Sequence, residues 1–360
     1  MKIHIIIGTR PEAIKMAPVI KGLSHFPKIS STVIGTGQHA DLLEGMLASF
    51  GLSMDLHWPY SLGRTQHELL SELLLRCANF WQENPADLVL VQGDTSSAWG
   101  AAQAAVLMGI PVGHVEAGLR TYQLDAPFPE ELNRQWISRC ASLHFAPTKR
   151  AFDTLRKEQV QGEVHLVGNT VVDALGEMLR EAKPPQEKKY DMLVTAHRRE
   201  SFGGGIASIA IALSELSSNY RIGVIVHPNP QSKDVFEAHL AGKSNIDLLE
   251  PVPYEEMPHL LMATRLLLTD SGGLQEEAPS FDLPVLVLRE STERQELIES
   301  GAGVLVGTSR EKIIEESKAI LENEARYTAM SNAVNPFGDG LSGVRIAEIC
   351  HEWLFAQHKK

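Results

Sequence analysis

The chain has 360 residues, 43% hydrophobic and 6% aromatic, which is an ordinary globular composition with enough length for two domains with full cores. Its 33 Lys and Arg against 45 Asp and Glu give a net charge of -12, which argues against nucleic acid or an anionic membrane surface as the main partner. The three cysteines match no zinc, redox or disulfide spacing, and no targeting or membrane-spanning pattern is visible. We therefore expect a cytoplasmic protein.

Short apolar runs alternate with longer amphipathic or alanine-rich stretches along the first half of the chain. The first run, Ile3 to Ile7, turns at Gly8 into a helix that Pro11 is suited to open, because the missing N–H of proline costs nothing at a first helical position. Further strand-like runs are Thr32 to Thr36, Leu88 to Val91, Ile110 to Val115, Leu143 to Phe145 and Val164 to Val167. This alternation predicts a doubly wound parallel sheet.

A second series of strands follows a polar, proline-containing interruption at Lys183 to Lys189. Its apolar runs are Met192 to Thr195, Ile222 to Val226, Ile246 to Leu249, Leu266 to Leu268, Val285 to Leu288 and Val304 to Val306. The sequence thus predicts an α/β protein of two Rossmann-like, doubly wound domains, residues 1–170 and 171–343, facing a central cleft. A final helix within residues 344–360 is expected to join the first domain.

The stretch from Arg265 to Ser280 has the pattern of a nucleotide site. After a short apolar strand, Ser271, Gly272 and Gly273 turn the chain into a helix, and the glycines leave room for a phosphate at the backbone N–H groups. Glu277, one turn further on, could accept hydrogen bonds from both hydroxyls of a ribose. The alternative is a simple helix N-cap after a tight turn, since short motifs have many false positives.

Polar residues that directly follow the apolar runs are further candidates, because ligands of open α/β sheets bind beyond the carboxyl ends of the strands. The sequence has such residues at Arg10, Asp94, Glu116, His197, His227, Ser271, Glu293 and Arg294. Each alone has a structural explanation; Asp94, for example, could cap a helix that begins at Thr95. Together they are costly to gather in one cleft unless they bind or react with a ligand.

Two further carboxylates, Glu130 and Glu131, follow Pro129 and are expected in the first turn of a helix. This placement is also favourable in itself, because negative charge stabilises a helix N-terminus. The glycines at 203–205 form either a second phosphate or sugar loop or a merely flexible segment.

The sequence contains only incomplete or misplaced versions of the motifs that bind common cofactors. The stretch GTGQHA at 35–40 resembles a dinucleotide fingerprint but follows the second strand rather than the first, which argues against NAD. The stretch GTRPEAIK at 8–15 lacks the glycine before lysine that an ATP-hydrolysing loop needs. We therefore expect neither cofactor.

Eight motifs together resemble the non-hydrolysing UDP-N-acetylglucosamine 2-epimerases of bacteria. They are GTRPEAIKMAP (8–18), QGDTSS (92–97), VGHVEAGLRT (112–121), PFPEELNRQ (127–135), GNTVVDAL (168–175), TAHRRESFG (195–203), LLTDSGGLQEEAPS (267–280) and STER (291–294). The resemblance implies a glycosyltransferase-B-like pair of Rossmann domains. It also implies a homodimer that interconverts UDP-N-acetylglucosamine and UDP-N-acetylmannosamine without NAD or metal, supplying cell-surface polysaccharide synthesis.

The same resemblance implies roles for individual residues. The UDP site would contain Arg10, Lys15, Ser271, Gly272, Gly273, Glu277 and Arg294. The sugar would be contacted by Asp94, Glu116, Glu130 and His197. A second UDP-sugar pocket, which family members can carry, would be contacted by Gln38, Arg64, Glu131, Arg198 and His227.

The chain departs from the family pattern at four places. Gln92 stands where the family usually has His, and Gln295 where it usually has Pro after the TER motif. Asp41 replaces a longer polar residue of the second pocket. The stretch EPVPYEEM at 250–257 differs from the segment that normally packs on uracil, so the diphosphate site is better supported than the base site.

The chemistry of such an epimerisation can be argued from the substrate. No enolate can form at sugar carbon 2, so no side-chain base could remove its proton directly at neutral pH, and UDP must leave first. This requires a clamp on the departing diphosphate, for which Arg10, His197 and the amides of 271–273 are candidates, and carboxyl groups near the sugar. A glycosyltransferase of the same fold and a hydrolysing epimerase that releases N-acetylmannosamine and UDP remain as alternatives.

Overall fold

The chain alternates strands and helices around two parallel sheets, one in each of two units. The computed structural model describes residues 1–37, 40–58, 65–125, 127–180, 185, 187–197 and 204–359. Unit 1 comprises Met1–Glu177 and Phe337–Lys360, and unit 2 comprises Met178–Pro336. None of the helices in the described ranges is long and apolar enough to cross a membrane.

The sheet of unit 1 has seven strands. In chain order they are β1 (Lys2–Ile7), β2 (Ser30–Gly35), β3 (Leu56–His57), β4 (Leu88–Gln92), β5 (Val112–Val115), β6 (Leu143–Ala146) and β7 (Glu163–Leu166). They pair in parallel in the order β3-β2-β1-β4-β5-β6-β7. The helices of unit 1 are α1 (Arg10–Ser24), α2 (Ala40–Ser49), α3 (Gln66–Glu83), α4 (Ser96–Leu107), α5 (Glu130–Cys140), α6 (Lys149–Lys157) and α7 (Thr170–Met178), and α15 (Ser342–Gln357) at the end of the chain.

The sheet of unit 2 has six strands. They are β8 (Tyr190–Thr195), β9 (Ile222–Ile225), β10 (Ile246–Leu249), β11 (Thr264–Thr269), β12 (Val285–Val287) and β13 (Gly303–Leu305), all parallel, in the order β10-β9-β8-β11-β12-β13. The helices are α8 (Gly204–Leu216), α9 (Pro230–Leu240), α10 (Met257–Met262), α11 (Gly272–Glu277), α12 (Gln295–Glu299), α13 (Arg310–Leu321) and α14 (Glu324–Ser331). A 3-10 turn, Ala278–Phe281, continues α11.

The central strands are continuous apolar runs because helices cover both faces of each sheet. In β4 the residues Leu88 to Val91 are fully buried. The histidine that interrupts β1, His4, is also buried, and its Nδ1 accepts a hydrogen bond of 2.9 Å from the indole of Trp81. Burial lowers the pKa of His4, so the ring fits the core as a neutral acceptor.

Each sheet has one topological switch point, where chain connections leave in opposite directions and a crevice forms beyond the strand ends. In unit 1 it lies between β1 and β4, and in unit 2 between β8 and β11. Residues 8–10 and 93–95 follow β1 and β4, while residues 196–197 and 270–273 follow β8 and β11. The sheet order alone therefore brings the strand-end candidates of each unit together.

The last helix, α15, belongs to unit 1 because it packs on α1. A Cβ added at Gly22 of α1 would lie 2.8 Å from the carbonyl oxygen of Gly343, so the two helices cross in close backbone contact. The N–H of Gly343 donates to Asp173 of α7 at 2.8 Å. The imidazole of His351 stacks on Phe26, with ring centroids 4.5 Å apart.

The predicted fold class is confirmed, and every predicted strand is present with its ends shifted by at most two residues. The run predicted from Ile110 starts instead at Val112, because the N–H of Ile110 closes the end of α4 by donating to Ala105 O and the next residue is Pro111. The two-residue strand β3 carries no periodic signal and was not predicted. Gly204 and Gly205 open the helix α8 rather than forming a loop.

Candidate active site

The turn after β1 presents Arg10 as the first residue of α1, with Thr9 as the preceding cap residue. Arg10 is exposed, while Glu12 lies buried beneath the turn. One oxygen of the Glu12 carboxyl accepts from the hydroxyl of Thr9 at 2.7 Å and from the N–H of Gly8 at 3.2 Å, and the other accepts from the hydroxyl of Thr95 at 2.9 Å. Burial raises the pKa of Glu12 to about 7.

Glu12 therefore ties together the turns that follow β1 and β4. Thr95 receives a second contact, since its hydroxyl oxygen accepts from Ala98 N at 3.0 Å and so caps α4. Asp94, the residue before this cap, is predicted to contact the sugar. The position of Asp94 thus depends on the same hydrogen-bonded group that shapes the turn beside Arg10.

Asp94 is paired with Arg134 of α5. The guanidinium donates to Oδ2 of Asp94 from Nε at 2.9 Å and also from Nη2. The side-chain amide of Asn133 holds the backbone carbonyl of Asp94 at 2.8 Å. Arg134 is buried, so the pair fixes the carboxylate at the end of β4.

Glu116, at the end of β5, is held from two sides. Nζ of Lys15 forms an ion pair with Oε2 of Glu116, and the amide of Gln92 donates to the same oxygen at 3.1 Å. Glu116 has a φ of 64°, a left-handed conformation that a residue with a side chain adopts at a cost. Lys15, predicted to contact UDP, thus lies against a predicted sugar contact.

Glu130 and Glu131 begin α5 as predicted, but their surroundings differ. Oε2 of Glu130 is buried and has no hydrogen-bond partner among the described residues. The carboxylate of Glu131 is fully buried and accepts from Thr121 N at 2.9 Å, Tyr122 N at 3.1 Å and Gln135 Nε2 at 2.8 Å. Glu131 therefore holds the loop before α5, whereas Glu130 has unused hydrogen-bonding capacity within the described part of the chain.

A cavity of about 390 Å³ lies beside the turn after β1. Its lining includes Arg10, Thr36, Gly37, Leu42, Leu69, Thr95 and Ser97. Gly37 approaches the turn so closely that an added Cβ would stand 2.3 Å from the carbonyl oxygen of Gly8. The glycine pattern after β2, which resembles a dinucleotide fingerprint, therefore has a packing cause here.

In unit 2, Ser271 precedes α11 as its cap residue, so the helix begins at Gly272 and Glu277 is its last residue. The N–H of Ser271 donates to Thr269 Oγ1 at 3.0 Å and is directed inward. The hydroxyl of Thr269 in turn lies 2.8 Å from that of Thr195 on the neighbouring strand. Glu277 is buried.

Arg294 reaches this loop from the segment before α12. Its Nε and Nη2 donate to Oε1 of Glu276 at 3.0 and 2.8 Å, and its Nη1 pairs with Glu293. An added Cβ on Gly272 would lie 2.8 Å from Cζ of Arg294, whereas one on Gly273 would meet its nearest neighbour at 3.7 Å. The guanidinium is therefore seated over the first glycine of the loop.

His197 follows β8 and contacts Asp270, which follows β11. The backbone N–H of His197 donates to Oδ2 of Asp270 at 2.8 Å, and Nδ1 lies 3.3 Å from Oδ1. Asp270 is fully buried. The ring of His197 stacks on that of His227, with centroids 5.3 Å apart and planes inclined by 12°.

The structure thus groups the predicted residues by unit. The group in unit 1 consists of Arg10, Lys15, Asp94, Glu116, Glu130 and Glu131. The group in unit 2 consists of His197, His227, Ser271, Gly272, Gly273, Glu277 and Arg294. Gln38, Arg64 and Arg198 lie outside the described residues, so the second UDP-sugar pocket stays a prediction. No three His, Cys, Asp or Glu side chains in the described ranges are grouped as a metal site.

Among the side chains at these sites that were not predicted from the sequence are Glu12, Arg134 and Asp270. Arg134 lies four residues after Glu130 and so on the same side of α5, a spacing that could have pointed to it. Asp270 directly follows a buried strand and meets the same strand-end criterion as His197. Nothing in the sequence signals the tertiary contact of Glu12 with Thr95.

Two Rossmann-like sheets in one chain, with polar groups at both switch points, define the class of glycosyltransferase-B-like α/β proteins. Residues 21–351 match the family model of UDP-N-acetylglucosamine 2-epimerase. The chain belongs to this family.

Individual relatives cover nearly the whole chain. The UDP-N-acetylglucosamine 2-epimerase of Bacillus subtilis is 39% identical over 97% of this chain and 94% of its own length. The crystal structure of the Neisseria meningitidis enzyme bound to UDP-N-acetylglucosamine superposes with a TM-score of 0.89 at 37% identity, covering 98% of this chain and all of that one. The Methanocaldococcus jannaschii enzyme, in complex with UDP-N-acetylglucosamine and UDP, has a TM-score of 0.80 at 32% identity, with 98% and 100% coverage.

Proposed function

We propose that the protein interconverts UDP-N-acetylglucosamine and UDP-N-acetylmannosamine by eliminating and re-adding UDP, without hydrolysis. The product is an activated sugar suited to cell-surface polysaccharide synthesis. The observation that carries the proposal is a set of three carboxyl groups: Asp94 and Glu116, which follow β4 and β5 and are held by cations, and Glu130 at the start of α5. Family membership supports the choice of substrate.

The diphosphate is assigned to the loop that opens α11. The N–H of Ser271 is already engaged with Thr269, so the amides of Gly272 and Gly273 are the proposed donors to phosphate oxygen. Arg294 and His197 add positive charge that offsets the charge developing on UDP as it departs. Glu277 is the proposed partner of the ribose hydroxyls.

The bond changes of the proposed reaction balance without a redox partner. The bond between carbon 1 and the UDP oxygen breaks with both electrons going to UDP, and a carboxylate takes the proton from carbon 2, leaving a glycal. A carboxylic acid then returns a proton to the other face of carbon 2, and UDP adds again at carbon 1. The removal and the return of the carbon 2 proton each need a carboxyl group near the sugar that exchanges protons.

We assign the proton transfers to Asp94, Glu116 and Glu130. Asp94 and Glu116 are anchored as carboxylates by Arg134 and Lys15, which keeps each oxygen in a defined direction. Glu130 has a buried oxygen without a hydrogen-bond partner among the described residues, so a proton on that oxygen displaces no existing hydrogen bond there. Glu131 is assigned to holding the preceding loop.

Proton NMR of the purified protein with UDP-N-acetylglucosamine alone tests the proposal. The expected result is a new UDP-sugar at equilibrium with the first. Release of free N-acetylmannosamine and UDP would identify a hydrolysing epimerase. No change until an acceptor is added would identify a glycosyltransferase, and either outcome would contradict the proposal.

We also propose that the protein acts as a homodimer. Large apolar side chains on the adjacent helices α3, α4 and α5 face solvent, with Leu75 66%, Leu107 82% and Trp136 50% exposed. Exposed apolar side chains on neighbouring helices of unit 1 are typical of a protein interface. Light scattering of Leu107→Asp is expected to show a monomer, while Val334→Asp, at an equally exposed apolar position of unit 2, stays dimeric. A monomeric parent protein would contradict this assignment.

A further inference from the structure

Two stacked imidazoles lie at the ends of neighbouring strands in unit 2. His197 follows β8 and His227 follows β9, with ring centroids 5.3 Å apart and nearly parallel planes. Two imidazolium rings at this distance repel each other, so a charge on one ring disfavours a charge on the other. The contacts of each ring indicate which of the two carries the charge.

Nδ1 of His227 accepts a hydrogen bond from the main chain, an arrangement that fits a ring with its proton on Nε2. The backbone N–H of Asn229 donates to Nδ1 of His227 at 3.1 Å, and Asn229 itself caps α9 through Gln231 N at 3.0 Å. An Nδ1 that accepts a hydrogen bond has a lone pair there and no proton. Protonating both nitrogens of His227 would break this contact.

His197 has the opposite arrangement. Its Nδ1 lies 3.3 Å from Oδ1 of Asp270, and its backbone N–H donates to Oδ2 at 2.8 Å. The carboxylate of Asp270 thus contacts both the ring and the main chain of His197. Asp270 is fully buried, and a buried carboxylate stabilises a proton on the nitrogen it faces. A proton on Nδ1 of His197 would therefore face this carboxylate, and Nε2 would be the atom that gains the second one.

We propose that Asp270 is a positioning residue that fixes His197 in the Nδ1-protonated form and makes it, rather than His227, the ring that turns positive opposite a diphosphate. This deepens the proposed function and rests on it for the identity of the diphosphate. Asp270 directly precedes Ser271, so the same residue links the ring of His197 to the loop that opens α11.

The tautomers can be measured on the unmodified protein without ligand. Long-range proton–nitrogen NMR correlations of the histidine rings, assigned with His197→Asn and His227→Asn, are expected to show Nδ1–H for His197 and Nε2–H for His227. An Nε2–H tautomer at His197, or a charged His227 beside a neutral His197, would overturn the proposal. This readout does not depend on epimerase activity.

A double-mutant cycle on UDP affinity tests the positioning role. We expect Asp270→Asn to weaken UDP binding about tenfold, the lower end of the loss when a residue that orients a ligand-binding histidine is removed. In the His197→Ala background, the same change should weaken UDP binding less than about twofold. Asp191→Asn, at the amino end of β8, the strand that precedes His197, is the matched control and is expected to leave the affinity unchanged.

Additive losses in the cycle would show that Asp270 acts independently of His197 and would overturn the proposal. If Asp270→Asn fails to fold, the tautomer measurement decides alone. A protein that shows the expected tautomers but does not bind UDP would contradict the proposed function, while the assignment of Asp270 to His197 would stand.

Discussion

The guanidinium of Arg294 lies directly against the backbone of Gly272. A Cβ at Gly272 would stand 2.8 Å from Cζ and 2.9 Å from Nη1 of that arginine. Glu276 and Glu293 hold the guanidinium in place through ion pairs. In the proposed function, Gly272 lets a phosphate approach the backbone. The lack of a side chain at Gly272 also leaves room for the guanidinium of Arg294.

The two glycines of this loop are therefore expected to respond differently to alanine. Gly272→Ala displaces Arg294 and should weaken UDP binding at least about tenfold, as for a lost charge-assisted hydrogen bond. Gly273→Ala meets the protein only at ordinary contact distances and leaves Arg294 in place, so it is expected to weaken binding less. Calorimetric titration with UDP measures both affinities. Equal losses of affinity for the two variants would show that Gly272 serves only the approach of phosphate and not the placement of Arg294.

Removing either anchored carboxylate should stop turnover while leaving the fold intact. Asp94→Asn and Glu116→Gln are each expected to lower kcat at least about 100-fold, the lower end for a lost general acid or base. Glu163→Gln, on the exposed edge strand β7, makes the same chemical change away from the candidate site. A near-normal kcat in both site variants would show that Asp94 and Glu116 have only structural roles, in helix capping and at the strand ends.

The product formed in deuterated water should carry deuterium at carbon 2. A carboxyl group that exchanges with solvent delivers the new proton if UDP leaves before reprotonation. In the proton NMR spectrum of UDP-N-acetylmannosamine, the signal of the proton on carbon 2 should then be lost. Complete retention of protium during net epimerisation would rule out Asp94, Glu116 and Glu130 as solvent-exchanging acids and bases.

Glu12 should make stability depend on pH. Its pKa is raised from 4.5 to about 7 by burial, so folding takes up a proton between these values and the free energy of unfolding falls as the pH rises through that window. The full difference is about 3 kcal/mol. Urea unfolding at about pH 5 and about pH 8 should show a smaller pH dependence in Glu12→Gln than in the parent. An unchanged dependence would show that Glu12 titrates normally.

Much of the fold was predictable because each buried parallel strand corresponds to a local run of apolar residues in the sequence. The run Leu266 to Leu268 and the glycine turn after it located β11 and the start of α11 to within two residues. The two-residue β3 was not predictable, since it is defined by pairing with β2 rather than by its own residues. The limits of the two units depend on contacts between distant segments, since Asp173 of α7 accepts a hydrogen bond from the N–H of Gly343.

The positions of several candidate site residues were predictable because each follows its own strand. Asp94, Glu116 and His197 meet that criterion, but their partners depend on tertiary contacts between distant segments. Arg134 reaches Asp94 from α5, and Asp270 reaches His197 across the sheet. No local pattern encodes such pairs, although they set the direction and charge of each predicted group.

The packing of α15 on α1 has a consequence for biosynthesis. A ribosome delivers all residues of unit 2 before it delivers α15, so unit 2 has its complete sequence while unit 1 still lacks a helix. During that interval the side of α1 that later meets Gly343 and His351 stays uncovered. The unit that is translated first is therefore completed last, and its open apolar face is where the nascent chain is exposed to misassembly.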